Sequence, residues 1–284
     1  MFGGSSRAKC ARCGIFKRIH KIPIPRVYAY GQAQLLHNSS AKHAFMILDH
    51  IKGQQLVERQ LSTSSEEHRR RFYSELVDIF AQLRSLEFSA AGSLMPNPAD
   101  ESEPIVGDFM DIAINELQRE SGCKKRTQPF TSAEAFIDYQ YSILTDSTPS
   151  QPAVVKRPVH PIPYDLRCSN IIVEDHLHIM GIVDWEFTGA VPLQFFTPPL
   201  WITGQARAGI FFPWHDAIFQ SFGAVLQAMS ITTEACAQLV QEWNWNNQQN
   251  LVFPVVQILL EPDTLLRVYQ SHLCDTSSRT YQTI

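Results

Sequence analysis

"YDLRCSNIIVEDHLHIMGIVDWE", Tyr164 to Glu186, holds an acid, an amide and a second acid around two apolar runs. "NIIV" and "MGIV" have the β-branched, apolar character of short buried strands, and "EDH" between them reads as a tight turn. Carboxylates beside buried strands are costly unless a cation, a substrate or a partner offsets them. If the two runs pair, Asn170 lies just before the first strand and Asp184 just after the second, at one end of a hairpin. Asp165, five residues before Asn170, enters that same end in a loop. Carboxamide and carboxylate oxygens are hard ligands that suit Mg2+, which keeps waters and phosphate oxygens as its remaining ligands. An acid that is not a ligand can orient or accept the proton of an attacking hydroxyl. The order D-x-x-x-x-N, hairpin, D is how kinase-type phosphoryl transfer is arranged. The same spacing also fits a plainer account, with Asp165 and Asn170 as turn residues and Asp184 as a strand-end cap.

In bulk the rest of the chain is ordinary. Its 284 residues are 44% hydrophobic and 18% charged, enough for one large domain or two small ones around a substantial core. A formal net charge of -4 gives no general attraction to nucleic acid or to an anionic membrane. "HRRR" (His68 to Arg71) and "KKR" (Lys124 to Arg126) sit among polar residues and read as solvated faces. No apolar run reaches the ~18 residues of a membrane span. "MFGGSSRAKCARCGIFKR" lacks the apolar core of a signal peptide, so a cytoplasmic protein is expected. Six cysteines do not make a disulfide framework. Cys10 and Cys13 in "CARC" have the spacing of half a zinc site, with no second pair to complete it.

Upstream, "RVYAYG" (Arg26 to Gly31) and "AFMILDHI" (Ala44 to Ile51) read as two strands of a hairpin, followed in "HIKGQQL" by a hinge. "SSEEHRRRFYSELVDIFAQLRSLEF" places Phe72, Leu76, Ile79, Phe80, Leu83 and Leu86 on one helical face, with Ser64 and Glu67 in capping-box register. "SAAGSLMPNPADESEPIVGD" should be loop, and "TSAEAFIDYQYSIL" a helix with Thr131 and Glu134 as its box. "DSTPSQPAVVKRPVHPIP" reads as a proline-rich connector, and prolines should keep "VPLQFFTPPLW" irregular. Two or three helices are expected between Trp214 and Trp245 and beyond Pro254. In "EWNWNN", Trp243 and Trp245 do not share a helical face, which fits a surface helix with one core Trp.

The segment "YDLRCSNIIVEDHLHIMGIVDWEFTGAVPLQFFTPPLW" resembles the catalytic segment of the aminoglycoside phosphotransferase family, especially its fungal branch. "IPIPRVYAYG" and "FMILDHIKGQQL" look like that family's strand leading to the hinge between lobes, and "FAQLRSLEFSAAGSL" like its first C-lobe helix. The resemblance runs from about Ile22 to Gly204. It implies an α+β, protein-kinase-like two-lobe fold: an incomplete small N-lobe sheet and a mainly helical C-lobe carrying a catalytic-loop β-hairpin. Residues 1–51 would form the N-lobe remnant, a helix plus two strands, and the hinge; residues 52–284 would form the C-lobe. The implied cofactor is Mg2+ with ATP, and the implied partners are a nucleotide and a small-molecule acceptor. By position, Asp165 would be the catalytic base, Asn170 and Asp184 the metal ligands, and the backbone of Leu48, Asp49, His50 and Ile51 the adenine site. Arg167, Trp185 and Glu186 belong to the motif in supporting places, where packing or a local salt bridge also accounts for them.

Two departures from the family stand out. Pro163 occupies the place, two residues before Asp165, where the family usually carries His; the nearest upstream His is His160. A kinase-like N-lobe also needs three strands and a helix before "RVYAYG", roughly 40 residues, whereas 21 residues precede Ile22. "GGSS" (Gly3 to Ser6) is not G-x-G-x-x-G, and no acid occurs from Met1 to Lys21. A Gly-rich loop and a phosphate-binding Lys are therefore not found, and without them such catalysis should lose several orders of magnitude in rate. Three readings stand at this level: an ATP- and Mg-dependent small-molecule phosphotransferase, a catalytically inactive pseudokinase-like binding module, or an N-terminally incomplete form of an active kinase. The exposed edge of a two-strand sheet could also take a partner.

Overall fold

The computed structural model describes residues 21–34, 43–95, 97, 99–100, 104–109, 128–145, 159–163, 166–185, 188–203, 217–243 and 252–260. Cys10, Cys13, Lys124 to Arg126, Asp165, Glu186, Trp245 and the expected N-terminal helix lie outside them. The central element grows from the apolar stripe between Phe72 and Leu83, which forms helix α2 (Glu66–Arg84). Phe72, Tyr73, Leu76, Val77, Phe80 and Leu83 are all buried along its length. Its cap is Ser65, one residue later than the spacing suggested: the Ser65 hydroxyl accepts from His68 N–H at 3.3 Å. Helix α1 (Glu58–Thr63) precedes it, just after the stretch read as hinge.

Ahead of these helices, β1 (Val27–Ala33) and β2 (His43–Leu48) pair antiparallel as expected, with Val27 opposite Leu48 and a register shift before Ala29. The short strand β3 (Gln54–Gln55) begins a three-stranded sheet, ordered β3-β7-β8 with β7 (Ile171–Val173) and β8 (Ile179–Ile182). Gly53 makes the turn into it at φ +133°, where a Cβ would lie 2.6 Å from the Val173 carbonyl oxygen. A four-stranded sheet is ordered β5-β4-β9-β6, from β4 (Gly92–Met95), β5 (Ile105–Gly107), β6 (Val159–Pro163) and β9 (Thr188–Pro192).

This second sheet corrects two expectations. "SAAGSLMPNPADESEPIVGD" contributes β4 and β5, and "VHPIP" is strand β6 rather than connector. Proline cannot donate to a ladder, and β6 lies at a sheet edge with β9 as its one neighbour, which is where Pro161 and Pro163 are tolerated. Among the described residues, seven of the nine strands follow Ile51, interleaved with the helices.

Helices α3 (Ala133–Thr145), α4 (Ala217–Ser230), α5 (Glu234–Trp243) and α6 (Val252–Leu260) complete the described elements. Ser132, rather than Thr131, caps α3 by accepting from Ala135 N–H at 3.1 Å. The core forms where α2 meets α4 and α5. Tyr73 meets Phe222 edge-on at 5.5 Å, and Phe80 meets Trp243 at 5.7 Å. Phe136 of α3 meets Phe195 at 4.9 Å, joining the four-stranded sheet to the same core. Each such pair adds about 0.5–1.5 kcal/mol beyond the area it buries. No described helix is long and apolar enough to cross a membrane.

Candidate active site

The hairpin read from "NIIV" and "MGIV" is present. Ile171 pairs with Ile182, and the Val183 N–H donates to the Asn170 carbonyl at 2.8 Å, so Asn170 and Asp184 stand at one end. Asn170 closes a single helical turn, Cys168–Asn170, its N–H donating to the Arg167 carbonyl at 3.0 Å. It is 9% exposed, whereas Asp184 is exposed and has φ +62°. An aspartate tolerates the left-handed region better than most residues, and bonds on both sides hold it there. Before it is the Val183 amide. After it, Trp185 is buried, its indole N–H donates to the Ile182 carbonyl at 2.8 Å, and its own carbonyl accepts from the Thr188 hydroxyl at 2.8 Å.

Both edges of the hairpin are covered. β3 lies along β7, Gln55 opposite Ile172, and the Leu56 N–H donates to the Ile171 carbonyl at 2.8 Å. On the other side the Ile182 N–H donates to the Pro23 carbonyl at 2.8 Å, while Ile22 and Ile24 bury their side chains in the core. At the far end Glu75 of α2 accepts from the Ile179 N–H at 2.7 Å and from His178 Nδ1 at 2.6 Å. A strand so held cannot slide, and its last residues present Asp184 at a set height.

The stretch read as hinge packs against the same hairpin. Gly181 leaves room for Ile51, whose side chain occupies the space a Cβ would need. Asp49, in contrast, is committed to its own hairpin: its carboxylate accepts from the Arg26 N–H at 2.8 Å and the Tyr28 hydroxyl at 2.7 Å, and its amide donates to the Arg26 carbonyl at 2.9 Å. The hydrogen bond to this carboxylate keeps the Tyr28 phenol protonated above its usual range. Among the described residues no hydrogen bond engages the His50 or Ile51 amide. Leu48 ends β2 beside them.

The described residues on either side of Tyr164 and Asp165 are Pro163, paired with Thr188, and Leu166, whose carbonyl accepts from the Trp201 indole N–H at 2.6 Å. Arg167 is half-buried, its carbonyl holding the turn that ends at Asn170. His160 does not point into solvent. It is fully buried on β6, Nδ1 donates to the Leu86 carbonyl at 2.9 Å, and the Arg84 guanidinium lies 3.3 Å from the same nitrogen. Burial pushes its pKa down, the Leu86 bond opposing and Arg84 adding to the shift. Sequence reasoning missed Thr188 and Trp201 as supports of this end and Glu75 as the support of the other. Trp201 stood inside a quoted motif, but nothing local marks its acceptor.

Residues 11–195 match the family model of the phosphotransferase enzyme family. The chain belongs to that family. No protein of the curated set matches the sequence. Among solved structures, an aminoglycoside 2′-phosphotransferase IIIa in complex with GDP is 10% identical, covering 94% of this chain and 80% of its own, with a TM-score of 0.45. A Ralstonia eutropha protein described as an aminoglycoside phosphotransferase is 14% identical over 98% of this chain and 78% of its own, TM-score 0.49. A thermostable mutant of aminoglycoside phosphotransferase APH(4)-Ia, in ternary complex with AMP-PNP and hygromycin B, is 12% identical over 96% and 77%, TM-score 0.46.

Proposed function

We propose that this phosphotransferase-family chain transfers the γ-phosphoryl group of Mg2+-ATP to a hydroxyl of a small molecule in the cytoplasm, between a small lobe of residues 1–51 and a large lobe of 52–284. The observation that supports the reading is the hairpin end, where the Val183 N–H donates to the Asn170 carbonyl and so brings Asn170 and the exposed Asp184 to one end of the hairpin, in the sequence's single D-x-x-x-x-N spacing. The donor set fits Mg2+: two hard oxygen side chains, the number this ion takes from protein when phosphates supply the rest. Among the described residues no cluster of three or more His, Cys, Asp and Glu side chains competes for it. Bound there, the ion would supply charge neutralisation on the phosphate oxygens. Asp165 orients the acceptor hydroxyl and takes its proton as the hydroxyl oxygen bonds to the γ-phosphorus and the bond to ADP breaks. The main chain at Leu48 to Ile51 holds the adenine, with the His50 and Ile51 amides as its available donors.

A binding module without turnover is the second reading. It is favoured by the lack of any G-x-G-x-x-G stretch in the sequence and of any lysine on β1 or β2. Calorimetry at millimolar ATP with and without Mg2+, beside an ADP-release assay across hydroxylated acceptors, separates the two. The expected result is Mg2+-dependent binding that Asp184→Asn removes, with turnover reduced about 10²- to 10⁴-fold in Asp165→Asn while binding persists. Absence of nucleotide binding in the unaltered chain overturns both readings, and binding without turnover selects the second.

A further inference from the structure

We propose that Trp201 is a positioning residue for the loop that carries Asp165 and Asn170, an inference that rests on the phosphotransferase reading above. The motif "VPLQFFTPPLW" leaves β9 at Pro192, makes one turn over Leu193–Phe195, and enters a second turn at Leu200–Thr203. Two indoles fasten it. Trp243, at the end of α5 and 1% exposed, donates to the Phe196 carbonyl at 2.6 Å. Trp201 donates to the Leu166 carbonyl at 2.6 Å.

The Leu166 carbonyl belongs to the peptide that joins Leu166 to Arg167, one residue beyond Asp165. The next carbonyl, of Arg167, accepts from the Asn170 N–H at 3.0 Å. One indole N–H therefore sets a peptide plane that neighbours the proposed base and opens the turn ending at a proposed metal ligand. The ring itself is placed by the core: it lies 6.4 Å from Phe72 of α2, which is fully buried, and its neighbour Ile202 is buried too. A packing role would need only an aromatic ring of this size. A directional N–H aimed at a catalytic-loop carbonyl adds orientation, and misplacing reacting groups by about 1 Å can cost on the order of 10²-fold in rate.

The test compares the unaltered chain with Trp201→Phe and with 3-benzothienylalanine at position 201, which keeps the shape of the indole and lacks the N–H. We expect kcat to fall about tenfold or more in both, and the Mg2+ concentration for half-maximal nucleotide binding to rise about threefold, with Tm within a few degrees for the shape-matched analogue. If Trp201→Phe fails to fold, the analogue carries the comparison. Values of kcat and Mg2+ half-saturation within about twofold of the unaltered chain overturn the inference, whatever happens to Tm. If the unaltered chain binds nucleotide without turnover, the Mg2+ half-saturation alone decides. If it neither turns over ATP nor binds nucleotide with Mg2+, the functional reading and this inference fall together.

Discussion

His160 shows how burial determines the charge of one side chain. Its Nδ1 donates to Leu86, its Nε2 has no hydrogen-bond partner among the described residues, and burial lowers its pKa in the presence of Arg84, Glu87 and Glu242. The unfolded chain takes up a proton near pH ~6.5, and the folded chain resists doing so. The contribution to stability is therefore complete above about pH 6.5 and is lost as pH falls through the lower folded value, by up to about 1.4 kcal/mol per pH unit. In His160→Gln, whose amide can still donate to Leu86, Tm should fall less between pH 7.5 and 5.0 than in the unaltered chain. Parallel Tm profiles for the two proteins would falsify this account. Asp184 is a second case at this scale: bonds of its neighbours Val183 and Trp185 hold its left-handed backbone, so the main chain beneath the side chain proposed to meet the metal is fixed by the fold itself.

Among the elements, the hairpin β7–β8 was the most legible, because its signals are local: β-branched runs, a polar turn and polar residues at both ends. Helix α2 came next, plain from its apolar spacing, with its cap displaced by one serine. β4, β5 and β6 were not legible, since glycine and proline mark turns in most settings and only a sheet edge makes VHPIP a strand. Strand β3 depends on Gly53, whose φ of +133° and close approach to the Val173 carbonyl exclude a side chain. Gly53→Ala should lower stability by about 2 kcal/mol or more, read as an earlier urea midpoint. An unchanged midpoint would show that the turn into β3 can relax at no cost.

At the scale of the molecule, Arg84 joins the end of α2 to the end of α5. Its Nε donates to Glu242 Oε2 at 2.7 Å and its Nη2 to Oε1 at 2.5 Å, and the hydrogen bond to Glu242 raises the guanidinium pKa. The two side chains are 13% and 18% exposed, so neither partner left alone is fully solvated. Arg84→Met should destabilise the fold by about 3 kcal/mol, and adding Glu242→Met should restore part of that loss by removing the orphaned carboxylate. Urea unfolding of the two single variants and the double variant checks this. Strict additivity would mean the pair does not couple α2 to α5.

Resemblance of the segment around Asp165, Asn170 and Asp184 pointed to the family, while spacing and periodicity by themselves determined the hairpin that brings Asn170 and Asp184 to one end, the β1–β2 pair and the amphipathic stripe of α2. These follow from the geometry of a few consecutive residues, so a linear pattern records them. The tertiary structure alone decided that β6 is an edge strand, that Asp49 is committed to Arg26 and Tyr28, that Glu75 holds the turn end of the β7–β8 hairpin and that Trp201 holds the loop entering its other end. Trp201 meets its acceptor across 35 positions, Glu75 across 104 and Arg84 across 158. Partners so distant in sequence leave no periodic trace, because their meeting depends on how α2, α5 and the sheets pack. That packing is a property of the whole core rather than of any segment within it.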